Sequence, residues 1–246
     1  MKPGEVHIWQ ARISERTDLD TLEGTLSTDE RRRANRFHFE ADRHRSIAAR
    51  GILRRRLGYY LHLEPAEIAF QYGPQGKPEL DESTMEITSL SFNLAHSGEL
   101  AMYAFAWDRK LGIDIERLRD VPEALIIARN HFTPSESRQL QSSGASLQAA
   151  FFRLWTRKEA VIKAVGTGVS TPLHEFDVSS DAPSDASWQR VSVPSQPRPE
   201  WYVRDLPAAA DYRAALAIEV LSTEAVLPMA GSLDESARLC FWREGV

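Results

Sequence analysis

Phe151-Phe152-Arg153-Leu154-Trp155-Thr156-Arg157-Lys158-Glu159-Ala160-Val161-Ile162-Lys163-Ala164-Val165-Gly166 reads as one long helix closed by a glycine. Trp155, Glu159 and Lys163 are spaced by four, so they stack on one face. A Glu–Lys pair in open water is worth only about 0.3–0.5 kcal/mol. A large aromatic on the same face points instead to the wall of a cleft, where Glu159 can serve as a base or metal ligand and Lys163 as a phosphate contact or acid. Upstream, Leu111-Gly112-Ile113-Asp114-Ile115-Glu116 reads as a strand. Alternation puts Asp114 and Glu116 on one face and Ile113 and Ile115 on the other. Two carboxylates side by side need a cation between them, for which Mg2+ is suited, or open water. Between strand and helix, Phe132-Thr133-Pro134-Ser135-Glu136 is a capped helix start with an early proline.

The first half of the chain runs in the same order. Val6–Ala11 alternates as a strand, Leu26-Ser27-Thr28-Asp29-Glu30 starts a helix, and a second helix spans Asp42 to Leu61, with Ile47, Leu53, Leu57 and Leu61 in its apolar stripe. Strands follow near Ile68–Gln71, Ser91–Leu94 and Ala101–Trp107, the last two joined by a turn at Ser97-Gly98. In the second half, further strands are expected near Glu175–Val178, Trp201–Arg204 and Tyr212–Leu221, with residues 179–200 as a long surface loop. Arg50…Gly58 aligns with Lys158…Gly166 at a spacing of 108. The expected fold is therefore α+β: two similar α/β subdomains, residues 1–109 and 110–246, related by a pseudo-twofold. Each is a small sheet packed with a long helix, and the site lies in the cleft between them.

Apolar residues make up 42% of the 246 and charged residues 26%, a soluble globular composition. Met1–His7 has no apolar signal core, and the apolar run Ala101–Trp107 is too short to cross a bilayer. The single Cys240 excludes an intrachain disulfide framework and any clustered cysteine metal site. A cytoplasmic protein without membrane attachment is expected. The net charge of −5 hides ten arginines within residues 31–56, a local balance of +8 that leaves −13 elsewhere. One basic strip on an acidic protein fits a small polyanion or an acidic partner better than nucleic acid; it also fits a solvated helix face. His96, ending Phe92-Asn93-Leu94-Ala95-His96 beside a turn, can meet a phosphate or do nothing. Gly73-Pro74-Gln75-Gly76-Lys77-Pro78 is a turn presenting one lysine.

Taken in order, these segments resemble the 4′-phosphopantetheinyl transferase superfamily, in particular its double-length class typified by the surfactin-synthetase activating enzyme. The likeness runs from Arg31 to Phe176 and rests on Gly112–Glu116 and on Phe152–Ala164 with Gly166 and Gly168 after it. The Trp155/Lys158-Glu159-Ala160 form resembles the branch serving polyketide and non-ribosomal peptide synthetases. The resemblance implies transfer of the phosphopantetheine arm of coenzyme A to a serine of an acyl or peptidyl carrier protein, with release of 3′,5′-ADP; the pseudo-repeat, by which one chain builds the whole cleft, leads to the expectation of a monomer. It implies that Asp114, Glu116 and Glu159 hold Mg2+, that Glu159 is the base, and that Lys163 assists the departing phosphate. It also implies that His96 and Lys77 touch phosphates and that Arg33 and Ser46 lie near the nucleotide. Ala95 stands where relatives often carry serine, so one hydroxyl contact is missing. A non-catalytic coenzyme A-binding paralogue would have lost a carboxylate or the lysine, and all four are present. An ordinary P-loop nucleotide hydrolase would need a G-x-x-x-x-G-K-[ST] segment, which the chain lacks.

Overall fold

A computed structural model describes residues 1–2, 4–14, 17–73, 76–86, 88–168, 171–179, 187–195, 200–220 and 238–244. Among the described residues, two four-stranded sheets organise the fold. The first joins β1 (Glu5–Arg12), β4 (Leu90–Ser97), β5 (Leu100–Trp107) and β10 (Arg238–Glu244) in the order β10-β1-β5-β4. The second joins β6 (Leu111–Arg117), β7 (Gln189–Val191), β8 (Glu200–Leu206) and β9 (Tyr212–Val220) in the order β6-β9-β8-β7. A small ribbon, β2 (Phe70–Tyr72) with β3 (Pro78–Leu80), stands apart.

Strand alternation sorts the apolar side chains into three cores. Val6, Ile8, Met102 and Ala104 of the first sheet meet Leu111, Ile113, Ile115, Leu216 and Ile218 of the second. The opposite face of the first sheet, with Ala101, Tyr103 and Phe105, packs under α3 (Glu40–Leu61) through Ile47, Leu53 and Leu57. That of the second, with Ala215 and Ala217, packs under α7 (Leu147–Val165) through Phe152 and Val161. The layers are helix, sheet, sheet, helix. Leu100–Ala106 is buried on both faces, which explains why its sequence is an unbroken apolar run.

Each long helix is anchored by a buried cation. Ser27 and Glu30 form a capping box at α2 (Thr28–Ala34), and Thr133 and Glu136 form one at α6 (Pro134–Gln141). Arg54 of α3 donates to Glu30 at 2.7 Å and to the carbonyls of Pro65 and Ile68 at 2.7 and 2.9 Å. Lys158 of α7 meets Glu136 at 2.8 Å and donates to the carbonyls of Leu173 and Phe176 at 2.7 and 2.8 Å. The residue that matches Lys158 in the first half is thus Arg54, one turn beyond the Arg50 that spacing pairs with it.

Several expectations are corrected. Glu175–Val178 is not a strand: Leu173–Glu175 is a 3-10 turn, and the carbonyls of Phe176 and Val178 are taken by Lys158 and Arg157 instead of a neighbouring strand. The stretch read as loop contains β7, which pairs with β8; residues 180–186 and 196–199 of that stretch, Pro74, Gln75 and Leu221 lie outside the described residues. The last strand of the expected second half, β10, joins the first sheet and runs parallel to β1. Short helices α1 (Leu19–Gly24), α4 (Glu82–Met85) and α5 (Ala124–His131) were not expected. Among the described residues no helix is long and apolar enough to cross a membrane.

One contact sets α7 on β6. A Cβ at Gly112 would lie 2.2 Å from the Ala160 carbonyl oxygen and 2.4 Å from the Ala164 nitrogen. The helix backbone rides directly on the strand. Gly112→Ala should therefore cost about 1–3 kcal/mol by overpacking, read from urea unfolding; unchanged stability would contradict this close approach.

Candidate active site

The site forms where the edges of the two sheets meet. The Asn93 side-chain oxygen accepts the Ile113 N–H at 2.8 Å, which ties β4 to β6. Ser97 donates to Glu116 at 2.8 Å and accepts the Arg117 N–H at 3.1 Å. Above this seam, α7 presents two chemically different faces. Arg157 and Lys158 point into the core, Arg157 clamping Asp205 of β8 at 2.5 and 2.9 Å. Trp155, Glu159 and Lys163 face the crevice. There they line a cavity of about 490 Å3 with Asp114 and Glu116 of β6, His96 of β4 and Arg50 of α3. A second cavity of about 750 Å3 shares Leu94, Trp155, Glu159 and Lys163, and continues past Ile127, Ile162 and Leu173.

Charge in the crevice is concentrated. The Lys163 ammonium lies 2.6 Å from Asp114 Oδ1, while the buried Asp114 Oδ2 has no partner among the described residues. Burial pushes the Asp114 carboxyl above its ordinary range, and Lys163 pulls it back. Glu159 is raised too, by burial first and then by the charge of Asp114. Glu116 is held by Ser97 and by Arg119 at 3.0 Å. Among the described residues, the oxygens of Asp114, Glu116 and Glu159 do not all fall within 4.8 Å of one another. Like charges on the three acids repel; Lys163 offsets Asp114 and Arg119 offsets Glu116. The donor set is all oxygen and includes an orphaned buried atom, so it suits a hard divalent cation that would draw the acids inward. His96 is exposed, yet desolvation by the protein around it, then Lys163 and Arg45, hold its imidazole below the usual pKa. Ala95 lines the same cavity with its methyl group in the inter-sheet core.

Sequence comparison names the fold's relatives. A profile described as the 4'-phosphopantetheinyl transferase superfamily matches residues 110–217, and one for the 4'-phosphopantetheinyl transferase N-terminal region matches 9–107. The chain is 38% identical over 216 residues to the 4'-phosphopantetheinyl transferase HetI of Nostoc sp., a match covering 87% of each protein. This chain belongs to the 4'-phosphopantetheinyl transferase superfamily. It is also 35% identical to psf-1 of Bacillus pumilus over 65% of this chain and 66% of that one, and 31% identical to Sfp of Bacillus subtilis over 62% and 66%. Both carry the name 4'-phosphopantetheinyl transferase.

Within this family member, the crevice gathers Ala95, His96, Asp114, Glu116, Glu159 and Lys163. It does not gather the other three residues expected near coenzyme A. The Arg33 guanidinium stacks on Tyr72 at 3.8 Å. Ser46 is half-buried on α3 and does not line the cavity. Lys77 donates to the Lys163 carbonyl at 2.7 Å and lines the larger cavity instead. Arg50, which sequence reasoning did not single out, also lines the crevice. Its Nε faces Glu30 at 3.4 Å, and its buried Nη1 has no partner among the described residues. It was one of ten arginines in the strip, and nothing local set it apart.

Burial brings the Lys77 pKa down to about 8 from 10.5. Between those values the unfolded chain holds the proton that the fold has lost. Stability contributed at this position should therefore rise as pH climbs from 8 to 10.5. Lys77→Met should flatten that part of the stability curve, as followed by urea midpoints across the range. An equally steep rise in the variant would exclude Lys77 as its source.

Proposed function

We propose that this chain is a Mg2+-dependent 4′-phosphopantetheinyl transferase. The serine oxygen of a carrier protein attacks the pantetheine-side phosphorus of coenzyme A, the pyrophosphate P–O bond breaks, and 3′,5′-ADP leaves. The observation that carries this reading is the convergence of Glu159 and Lys163 from α7 with Asp114 and Glu116 from β6 in one cavity walled by Arg50 and His96.

Asp114, Glu116 and Glu159 are the residues that would hold the metal. A bound Mg2+ supplies neutralisation of pyrophosphate charge and a template for both substrates. Glu159, its carboxyl raised in pKa by burial, takes the serine proton. The Lys163 ammonium offers its positive charge to the departing phosphate. Arg50 and His96, on the opposite wall, meet the remaining phosphates, Arg50 through its unpartnered N–H. The exposed arginines of α2 and the loop after it add a basic approach for an acidic carrier domain. The shared three-strand order, β1-β5-β4 in one sheet and β6-β9-β8 in the other, supports a pseudo-twofold between two subdomains, while the fourth strands differ, β10 lying beside β1 and β7 beside β8. One chain supplies both walls, which supports action as a monomer, and we place the enzyme in the cytoplasm.

Incubation with coenzyme A, Mg2+ and apo carrier proteins should add the phosphopantetheine arm, read by intact mass. An unmodified mass across acyl and peptidyl carriers would contradict the reading. Arg50→Met should raise the KM for coenzyme A roughly tenfold, the scale of one hydrogen bond to a charged group, and change kcat far less. A fall in kcat alone would place Arg50 outside the phosphate contacts.

A further inference from the structure

Glu5, His7 and Cys240 form a second constellation, away from the carboxylate cavity. β1 and β10 pair in parallel with His7 opposite Cys240. Glu5, two residues before His7, falls on the same face by strand alternation. One ligand atom from each of the three, a carboxylate oxygen, an imidazole nitrogen and the thiol sulfur, lies within 4.8 Å of the others. Among the described residues this is the only trio of acidic, histidine or cysteine side chains with that property. Glu5 Oε2 and His7 Nε2 are 3.3 Å apart. With metal–oxygen and metal–nitrogen bonds of about 2.0–2.1 Å, a tetrahedral edge measures roughly 3.4 Å. These two atoms share a hydrogen bond at that spacing, which a bound metal would replace.

A second layer holds the trio. His7 is buried, and its Nδ1 lies 2.8 Å from the Tyr60 hydroxyl, which also accepts the Trp9 indole N–H at 2.8 Å. Glu5 Oε2 accepts the Lys2 N–H at 2.8 Å. A metal-bound histidine is commonly oriented through its other ring nitrogen in this way. Cys240 is a free thiol and the single cysteine of the chain.

We propose that Glu5, His7 and Cys240 bind a thiophilic divalent cation, Zn2+, which clasps β10 to β1. On binding, the Cys240 S–H bond gives way to a metal–sulfur bond and its proton passes to the buffer. His7 binds through Nε2, and Nδ1 then carries the ring proton and donates it to the Tyr60 oxygen. Glu5 supplies one oxygen and a water completes four ligands. No redox change is involved. Thiolate and imidazole select Zn2+, whereas an all-oxygen set selects Mg2+, so the two sites of the molecule take different ions. The clasp pins a strand that reaches the first sheet only at the far end of the sequence.

The test is a Co2+ titration of the full-length, metal-free protein. Coordination should produce a near-ultraviolet thiolate-to-cobalt charge-transfer band that saturates at one ion per chain and is bleached by Zn2+. Because the chain has one cysteine, that band reports this site alone, whatever binds in the carboxylate cavity. Cys240→Ser should abolish the band. Tyr60→Phe should keep it but weaken Co2+ binding about 10–100-fold. Zn2+ should raise the melting temperature of the wild type and not that of Cys240→Ser. A titratable free thiol with no band at saturating Co2+ overturns the proposal. So does a band that saturates at one ion per two chains, which would place the metal between copies.

Discussion

Glu159→Gln should leave a folded protein that no longer transfers the arm. The change replaces one oxygen by an amide nitrogen on a face of α7 that lines the crevice, away from the Arg157 and Lys158 anchors. Its thermal unfolding should match the wild type, or lie slightly higher, because burial and the neighbouring Asp114 both disfavour the Glu159 charge. The chemical step should lose about 10²–10⁴-fold, the usual contribution of a positioned general base. Additional loss is expected if the same oxygen is also a metal ligand. The measurement is single-turnover transfer with coenzyme A at saturation. Retained turnover would remove Glu159 from the mechanism and leave the cavity without a base at the helix wall.

The largest effect on stability is expected at Lys158. Its ammonium is fully buried against Glu136, which is equally buried, and it satisfies two carbonyls of the segment after α7. Lys158→Met removes the cation and strands a carboxylate in the core, which costs about 3–5 kcal/mol. That is a large part of the about 5–15 kcal/mol that holds a typical domain together. Guanidinium unfolding of the purified variant measures it. Adding Glu136→Gln should recover part of the loss, since the stranded charge disappears. A single variant as stable as the wild type would show that the Lys158–Glu136 pair contributes nothing to the fold. In the other half, Arg54→Met should cost less, because Glu30 keeps Arg50 at 3.4 Å as a second cation.

These two neighbouring residues show what the sequence made legible. Glu159 was readable because strand and helix periods are strict: i and i+4 share a helix face, i and i+2 a strand face. The same rules put Asp114 and Glu116 together and placed α3, α7, β5 and β6. The capping boxes at Ser27–Glu30 and Thr133–Glu136 gave the short helices their starts. Lys158 was only half readable. Its place on the helix was plain, but its partner Glu136 lies far along the chain, and no local pattern links them. The same limit hid β10, whose parallel pairing with β1 joins residues 5–11 to 238–244. It also misled at Glu175–Val178, where an extended chain resembles a strand until its carbonyls are seen bonded to Lys158 and Arg157. Lys77 and Arg50 show a related limit. Sequence tells where a long cationic side chain begins, whereas packing decides where its charge ends. The ammonium of Lys77 ends on a helix carbonyl, and the guanidinium of Arg50 ends at the cavity.

The direct test of the carboxylate cleft is metal binding itself. Mn2+, a hard ion visible by electron paramagnetic resonance, should bind once per chain at this all-oxygen set in the presence of coenzyme A. Asp114→Ala should lose that ion while retaining the wild-type fold. Undiminished Mn2+ binding in Asp114→Ala, at the same affinity and stoichiometry, would contradict the claim that β6 and α7 grip a common cation.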